Sequence, residues 1–529
     1  MIIILLLTQN IFFIQAQNTS GTDFYLTFGK NSIVVIFDYQ IRFVCGSEST
    51  EVTIYFTDLQ TSISFPLQPH QVQTYELSAT EKQAVRNTTT GTTNKSAHIT
   101  SLKPISVYAL NQSNGSTDAT NVFPVTTLDI NYYDISYYAN DAYAVIAISN
   151  NTSIEHNGEQ VAILNEGQVY YRTLTGDMTG VNITANNPIA LFALNEMAFI
   201  PTTHGAADCL MQQLPPINTW GKNIFVPVSN MGKDRVRIVV SEDDTNIIQK
   251  GGELKSATGS QMSLDNLQAG QFVELEVNLD SAGCYIQSNK PVGVCSYLTG
   301  RTYNDFNISD PSQCWVPPVE QMVTQTMIAP FYSENSNINA HYALVVTPTD
   351  TKDNTLFSIG GEPYVALSGG SWEDHQSGIS FYNIPLIKDT ESYRFTNNNG
   401  LFVLCYGVGY AESYYYLGGS AVRTLDAAFY ANDIHCGDLE NNQICEKEVF
   451  FRAEIENMGV EVDSIKWFID DAEFEPAQNQ ETGDYTFTQG EYEITMEVYY
   501  FENGETKTKT ITGTLKRKDF WVKMRNVKH

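Results

Sequence analysis

The sequence has few basic residues, and this shortage excludes a class of partners. It contains 30 Lys and Arg against 60 Asp and Glu, a net charge of −30 at pH 7. Nucleic acids need a basic protein face to neutralise their phosphates, so we expect no nucleic-acid partner. The same charge disfavours an anionic membrane surface and suits a soluble protein in an ionic exterior medium.

Long apolar runs are also missing. Beyond the N-terminus no run approaches the ~18 apolar residues of a membrane-spanning helix, so we expect no transmembrane segment. The N-terminus, with apolar residues at 2–7 and 11–14 before Ala16, resembles the end of a secretory signal without its basic first part. We therefore predict a signal peptide at residues 1–16 and a secreted or cell-surface protein.

Familiar catalytic motifs are absent as well. No G-x-S-x-G, H-E-x-x-H, P-loop or G-x-G-x-x-G pattern occurs in a usable context. His204, Asp208 and Cys209 could suggest a Cys–His nucleophile, but they share one loop in a chain that should oxidise its thiols. Neighbouring carboxylates on a strand point to opposite faces, which disfavours a glycosidase pair among Glu242, Asp243, Asp244, Glu373 and Asp374. We expect no enzyme and no catalytic residue.

What the chain does contain is a fourfold internal repeat. Residues 98–110 (HITSLKPISVYAL) return at 181–194, 284–297 and, in degenerate form, 393–406. Each copy places two β-branched or aromatic runs around a polar stretch, which predicts a β-hairpin. Asp118, Asp208 and Asp310 follow the first three copies, and each precedes a proline. Four related units of ~100 residues therefore fill most of the chain.

These units predict the fold class. Apolar residues make up 42% of the chain, enough for several cores. About seven short strands per unit favour an all-β chain of four tandem β-sandwich-like units, with a propeller-like closed array as the alternative. The predicted units span about 20–128, 129–228, 229–333 and 334–424. Residues 425–518 predict a separate immunoglobulin-like sandwich around Trp467, followed by a basic tail at 519–529.

Eight cysteines in a secreted chain of this size can form disulfides. If the third hairpin turns at residues 289–290, Cys284 and Cys295 lie opposite one another. Cys436 and Cys445 would close a short loop. Similar positions in successive units suggest a third pair, and the remaining two cysteines a fourth; buried free thiols are the alternative for every pair. These last candidates are Cys209 with Cys314 and Cys45 with Cys405.

Several longer motifs carry a family resemblance. GTDFYLTF (21–28), KPISVYAL (103–110), GDMTGVNITANNPIALF (176–192), DCLMQQLPPINTWGK (208–222), SNKPVGV (288–294) and DPSQCWVPPVEQM (310–322) resemble the IgGFc-binding protein N-terminal domain family over roughly residues 20–425. The last domain resembles the PKD-type module, whose W-x-F-x-D-G pattern here begins at Trp467 and lacks its Gly. The resemblance implies an extracellular protein of mucus or cell surface. It carries no residue-level motif for antibody binding.

Two kinds of residue are candidates for binding. Carboxylates in loops could hold Ca²⁺, which takes six to eight oxygen ligands; calcium is the only cofactor that the sequence suggests. Tyrosine pairs on strands, such as 132–133 and 414–416, could either expose rings for sugar stacking or pack between units. The candidate calcium ligands are Asp177, Asp243, Asp244, Asp305 and Asp310.

These observations favour a non-catalytic extracellular adhesion or binding protein. Its expected partners are a mucin, a glycan or another host or matrix glycoprotein, bound by the loops that contain the repeated Asp and Pro. A structural spacer of a surface assembly and a glycan-active enzyme are the alternatives. Whether the four units stack linearly or close into a ring stays open at this point.

Overall fold

The computed structural model describes residues 19–31, 37–304, 306–333, 335–387, 391–421, 425–432, 434–436, 439, 442–457, 461–470, 472–474, 485–502 and 505–518. The predicted signal peptide and basic tail lie outside these residues. The chain forms two compact units, Gln17–Val422 and one that contains Arg423–His529. As predicted, the structure is nearly all β.

The first two sheets lie between residues 21 and 214. The first joins seven strands in the order β4-β3-β7-β2-β5, with β1 and β8 on β7, and the second joins eight in the order β12-β11-β14-β10-β13-β6, with β9 and β15 on β14. The strands are β1 Gly21–Leu26, β2 Phe37–Cys45, β3 Thr50–Phe56, β4 Thr61–Leu67, β5 Val72–Glu76, β6 Gly91–Thr93, β7 Ala97–Ser113, β8 Ser116–Val122, β9 Asp129–Tyr133, β10 Ala139–Ala147, β11 Thr152–His156, β12 Glu159–Leu164, β13 Val169–Gly176, β14 Asn182–Phe199 and β15 Ala207–Leu214.

The third and fourth sheets follow the same plan. Their orders are β16-β21-β17-β20-β19, with β18 and β22 on β21, and β26-β25-β29-β24-β28-β27, with β23 and β30 on β29. The strands are β16 Gly221–Val226, β17 Lys233–Val240, β18 Ile247–Lys250, β19 Gly252–Lys255, β20 Phe272–Asn278, β21 Cys284–Leu298, β22 Ser312–Trp315, β23 Val323–Ile328, β24 Ile338–Pro348, β25 Leu356–Ile359, β26 Val365–Ala366, β27 Trp372–Asp374, β28 Ile379–Pro385, β29 Tyr393–Gly409 and β30 Glu412–Gly419.

Helices are short. The α-helix α1, Ala79–Val85, begins with a capping box in which Ser78 and Glu81 bond to each other's main-chain N–H. Short 3₁₀ turns connect strands, and three of them follow the prolines of the repeats. No helix among the described residues has the length and apolar character to cross a bilayer. The 3₁₀ turns are Val125–Thr127, Ile217–Thr219, Leu279–Ser281, Val319–Gln321 and Thr349–Asn354.

Each repeated segment forms one long strand, so the predicted hairpins are wrong. In these bent strands, β7, β14, β21 and β29, the partner shifts register beside Pro104, Pro188, Pro291 and Gly400. A two-residue hairpin turn needs positive φ, and within residues 101–104, 185–188, 288–291 and 397–400 only Gly400 has it. Proline lacks the N–H that a ladder uses, so the polar stretch becomes a bulge and the strand continues.

The two halves of a bent strand lie in different layers. In the fourth unit, Tyr393–Thr396 pairs with β23 and β25, whereas Phe402–Gly409 pairs with β24 and β30. The other three bent strands are paired in the same way. A strand that bends at a bulge and changes layer makes the corner of a sandwich. The predicted sandwich-like units are therefore confirmed.

The four units form a closed ring. The last strand of each sheet, β8, β15, β22 and β30, contacts the corresponding strand of both neighbours, and β30 contacts β8. The cores also run across the unit boundaries, because Tyr108 of the first unit packs against Tyr416 of the fourth with ring centroids 4.8 Å apart. The sheets have seven or eight strands, whereas a propeller blade has four. The ring is thus built from sandwich-like units.

The C-terminal unit has its own core. Its main sheet has the order β33-β40-β39-β36-β37, beside a β32-β31-β35 sheet and a β34–β38 pair. Trp467 is fully buried against Phe429, Phe451 and Phe474, so its predicted core role is confirmed. The strands are β31 Leu425–Ala431, β32 Ile434–His435, β33 Gln443–Ile444, β34 Glu448–Val449, β35 Phe451–Asn457, β36 Glu461–Ile469, β37 Ala472–Glu473, β38 Tyr485–Thr486, β39 Gly490–Glu502 and β40 Glu505–Arg517.

Candidate functional site

The centre of the ring is built from four strand edges. The inner strands, β8, β15, β22 and β30, each pair with one bent strand and have no ladder on their other edge. An unpaired edge inside a protein leaves N–H groups that need other acceptors. Side chains of the inner strands supply these acceptors, and they are the polar residues that the sequence places after each repeat.

Asp118 joins all four units. Its carboxylate accepts the main-chain N–H groups of Ala119, Met211, Gln313 and Tyr415 at 2.8, 3.0, 3.0 and 3.2 Å. These four residues occupy the same position in the four inner strands. Each carboxylate oxygen accepts two of the bonds, so every lone-pair position is used. Burial raises the pKa of Asp118, and the four N–H groups oppose that rise.

The neighbouring layer is also acidic and buried. Asp208, Asp310 and Glu412 stand at equivalent positions and are at most 1% exposed. Asp208 accepts the N–H groups of Thr117 and Cys209. Burial raises the pKa of Asp208, and the charge on Asp310 adds to the rise. Glu412 accepts the Gly115 N–H of the first unit at 2.8 Å.

Amide side chains complete the axis. Gln212 Oε1 accepts the Trp315 N–H at 2.9 Å, and Gln213 Oε1 accepts the Phe123 N–H at 2.7 Å. These bonds link successive units as a sheet ladder would. The loops with the repeated Asp and Pro were expected to form a binding pocket, and this expectation is wrong. Their carboxylates lie inside the ring because the strand edges need acceptors.

The structure disperses the candidate calcium ligands. Asp177 pairs with Arg237 at 2.8 Å and Asp310 with Arg301 at 2.8 Å, so a guanidinium already faces each carboxylate. Asp243 accepts the Ala269 N–H, and Asp244 lies beside it in a turn with φ of 57°. Asp305 lies outside the described residues. In the described part of the chain, no three His, Cys, Asp or Glu side chains are placed to share a metal ion.

The candidate nucleophile is not assembled. Cys209 is fully buried, and burial raises the pKa of its thiol, the reverse of what a reactive thiolate needs. His204 Nδ1 is 2.9 Å from Thr203 Oγ1, and its ring packs edge-on against Tyr303. Asp374 of the carboxylate pairs bonds to Lys352, which lowers its pKa.

None of the four predicted disulfides is formed. Cys284 and Cys295 both lie on β21. Eleven residues of extended strand separate them by on the order of 30 Å, so this predicted disulfide is wrong. The thiols of Cys209 and Cys314 have other neighbours: Asn31 Nδ2 donates to Cys209 Sγ at 3.2 Å, and Cys314 Sγ donates to the Trp315 carbonyl at 3.3 Å. Cys45, Cys405 and Cys445 also form no disulfide.

The repeated tyrosines are mostly core residues. Tyr132, Tyr137 and Tyr171 are at most 1% exposed, and residues 414–416 are fully buried. Tyr138, at 37% exposed, is the exception. The tyrosine rings were expected either to be exposed for sugar stacking or to pack between units. The structure shows that most of them are packed.

One end of the ring exposes a different set of residues. Four connections lead from the bent strands to the inner strands, and we call them the turn face: residues 114–115, 200–206, 299–311 without 305, and 410–411. They are bonded to one another. Gly300 N donates to the Ile200 carbonyl at 2.9 Å, Ser309 N donates to the Gly409 carbonyl at 2.9 Å, and Gly115 N donates to Glu412. Loops held in this way on a rigid scaffold are typical places for binding residues.

Two large aromatic side chains point outward from the turn face. Tyr410 is 66% exposed and Phe306 is 50% exposed. The Arg301 guanidinium lies 5.2 Å from the Tyr410 ring centroid while it pairs with Asp310 below. Neither aromatic residue is predicted from the sequence, because nothing in the sequence shows that the four turns meet at one end.

A shallow groove lies on the fourth unit. Its volume is about 290 Å³, and it is lined by residues 339–342 and 385–387. Ile387 at its edge is 80% exposed. A glycosidase would require two carboxylates that face each other, and the residues that line this groove include no Asp or Glu.

A buried charge cluster between the second and third units was also not predicted from the sequence. Arg237 is fully buried and pairs with Asp177 and with Glu274 at 3.1 Å. Its guanidinium stacks on Tyr137, 3.9 Å from the ring centroid. An arginine inside the apolar strand β17 was the available signal, since a buried charge must be paired.

Comparisons with solved structures give only distant likenesses. A GH78 family rhamnosidase of Bacillus sp. GL1 shares 8% identity over 79% of this chain and 55% of its own, with a TM-score of 0.14. Escherichia coli alpha-2-macroglobulin shares 8% over 95% and 53%, with a TM-score of 0.16. Sidekick-1 immunoglobulin domains 1–4 share 7% over 74% and 99%, with a TM-score of 0.11. The chain therefore spans about half of the first two proteins, and such scores establish no common fold.

A family sequence model, unlike the solved structures, gives a match that covers a large part of the chain. No curated protein matches the chain. The sequence model of the IgGFc binding protein family matches residues 118–407, from the central Asp118 to two residues before the end of the last bent strand. Because this match covers more than half of the 529 residues, the chain belongs to the IgGFc binding protein family.

Proposed function

We propose that this chain is a non-catalytic extracellular binding protein whose turn face binds a glycoprotein ligand of mucus, matrix or host cell. The observation that carries the proposal is the exposure of Tyr410 and Phe306 on turns that are bonded together over a rigid axis. Tyr and Arg are enriched among the residues that contribute most to protein interfaces. Rigid turns lose little conformational entropy on binding.

Family membership supports the same class of function. The family's members are typically extracellular, non-enzymatic binding proteins, and the family's name gives the Fc of IgG as a ligand. Immunoglobulin is therefore one ligand to test. Mucins, glycans and matrix proteins are the others, since no residue-level antibody motif is present in the sequence.

The arrangement of reactive side chains favours binding over catalysis. The thiol of Cys209 is buried and protonated, and the carboxylates of Asp177 and Asp310 are held by arginines. A hydrolase would need an accessible acid and base beside a bound substrate. The exposed residues of the turn face are instead aromatic rings and polar groups that can form contacts.

Binding of the purified full chain to an array of immunoglobulins, mucins, glycans and matrix proteins tests the proposal. We expect saturable binding to one class, weakened tenfold or more by Tyr410→Ala or Phe306→Ala, about 1.4 kcal/mol or more. Ile248→Ala is the matched control, because Ile248 is 62% exposed on the third sheet away from the turns. Equal binding by all three variants would place the ligand elsewhere.

The same array separates the remaining possibilities. Loss of binding in EDTA would support calcium in the acidic loops. Absence of binding to every member of the array would favour a structural spacer. Release of sugar from a glycan would favour a glycan-active enzyme.

We also propose secretion after cleavage behind Ala16 and a PKD-type module at residues 425–518. The apolar N-terminal segment supports the first and the buried Trp467 the second. N-terminal sequencing of the exported chain tests the cleavage site.

A further inference from the structure

A serine hydroxyl lies between two buried carboxylates in the second unit. Ser136 Oγ is 3.0 Å from Asp134 Oδ2 and 2.7 Å from Asp141 Oδ2, and all three residues are fully buried. A hydroxyl carries one hydrogen and can donate it to one carboxylate only. The second contact therefore needs a hydrogen from the other carboxyl group. The geometry implies one bound proton for the pair.

The neighbouring donors show which residue holds it. Asp141 accepts the Ala142 N–H on Oδ1 at 2.8 Å and the Met178 N–H on Oδ2. Asp134 Oδ1 is buried without a hydrogen-bond partner. N–H donors stabilise an ionised carboxylate, and an unpaired buried oxygen disfavours one. The proton thus belongs on Asp134, whose O–H donates to Ser136, while the Ser136 O–H donates to Asp141.

This pair adjoins the contact between the second and third units. The Ser136 carbonyl accepts Nη1 of Arg237 at 3.0 Å and the hydroxyl of Tyr297 at 2.8 Å, both from the third unit. Arg237 is already shared between Asp177 and Glu274. The other titratable groups that face the pair are Tyr137, Tyr143, Tyr171 and Cys295.

Electrostatics around the pair favour retention of one shared proton. Burial raises the pKa of Asp134, the charge on Asp177 adds to the rise, and Ser136, the Ile135 main-chain N–H and Arg237 oppose it. Burial raises the pKa of Asp141 as well, and a charge on Asp134 and the charge on Asp177 would raise it further. The four tyrosine and cysteine groups are neutral, because burial raises their pKa too. Arg235 also pairs with Glu274 at 3.5 Å, and two guanidinium groups cannot neutralise the four carboxylates of the cluster.

We propose that Asp134, Ser136 and Asp141 form a proton-dependent latch that holds the second and third units together and opens when rising pH removes the proton. Hydroxide takes the Asp134 proton and becomes water, leaving two carboxylates against one hydroxyl hydrogen. Their repulsion displaces Ser136, whose carbonyl binds Arg237 and Tyr297. Since the folded pKa is raised, the stabilisation is complete at low pH and is lost as pH rises through it.

Hydrogen exchange of the full chain tests the latch. Peptides around 134–141 and 233–240 should lose protection at least tenfold with rising pH, beyond the intrinsic increase of amide exchange. Asp134→Asn places a neutral N–H donor beside Ser136 and should abolish this extra loss. Asp243→Asn removes a carboxylate that accepts a single main-chain N–H in the third unit and should leave the loss unchanged.

Two results would overturn the latch. One is an Asp134→Asn variant with the same pH-dependent loss of protection as the wild type, and the other is an Asp243→Asn variant in which the loss has disappeared. Infrared spectroscopy of the wild type gives an independent check that needs no variant to fold. The C=O stretch of a protonated carboxyl group should persist above the pH range in which exposed carboxyl groups ionise and vanish in parallel with protection; its absence would contradict the shared proton.

Discussion

Replacing Asp118 should weaken the contacts between all four units and destabilise the ring. Its carboxylate accepts four main-chain N–H groups, and three of them, from Met211, Gln313 and Tyr415, belong to other units. Asp118→Ala leaves these donors buried without acceptors. Each unsatisfied group costs about 1–3 kcal/mol, and the Ala119 donor can readjust within its own strand.

The magnitude follows from these three donors. Together they cost roughly 3–9 kcal/mol, and removal of a buried charge offsets part of this. We expect a net loss on the order of 5 kcal/mol, a large fraction of the 5–15 kcal/mol that is usual for a folded domain. Asp118→Asn should lose about half as much, because its amide oxygen still accepts while its NH₂ faces two donors.

Urea unfolding of the full chain measures the effect. The midpoint of the transition should fall for both variants in the order Ala below Asn below wild type, with little change in the m-value if the unfolding stays cooperative. Asp243→Asn is the control, because this exposed carboxylate accepts a single N–H. An Asp118→Ala variant with the wild-type midpoint would mean that the four donors find other acceptors, and the reasoning about the axis would be wrong.

Two further changes test the pairing at the turn face and the separation of the units. Burial raises the pKa of Asp310 to about 6 even with Arg301 beside it, so its contribution to stability is lost as pH rises through about 6. Arg301→Gln should raise this pKa further. The variant should lower the free energy of unfolding by about 2 kcal/mol near pH 7.5 and by less near pH 4. Equal losses at both pH values, measured by urea unfolding, would contradict this. Trp467→Ala removes the centre of the C-terminal core and should destabilise that unit by about 3–5 kcal/mol. In a thermal scan the ring's transition should stay in place, and a joint shift would show that the two units unfold together.

Sequence patterns predicted the parts of this protein that depend on local chemistry. Alternating apolar residues and the fourfold repeat indicated an all-β chain of related units, and the structure confirms both. The recurrent Asp and Pro were recognised as a repeated feature, although their role was misjudged. Conformational preferences alone also misread Pro104, Pro188 and Pro291 as parts of hairpins, since the same polar stretch can form a turn or a bulge.

The candidate site shows more clearly which features cannot be predicted from the sequence. Tyr410 and Phe306 are ordinary residues in two of the four connections, and only the closure of the ring brings these turns to one end. The Asp134–Ser136–Asp141 contact was equally invisible, because each residue alone fits a polar loop.

The sequence by itself determined that the chain forms β-strands in four repeated units. Strand formation depends on the alternation of side chains and on turn residues, and both are local in the sequence. Only the tertiary structure decided that the units close into a ring around Asp118. Four unpaired strand edges meet at the axis, and their N–H groups must find acceptors once water is excluded. That requirement arises between residues about a hundred positions apart, so it buries the carboxylates that a reading of the sequence would leave in exposed loops.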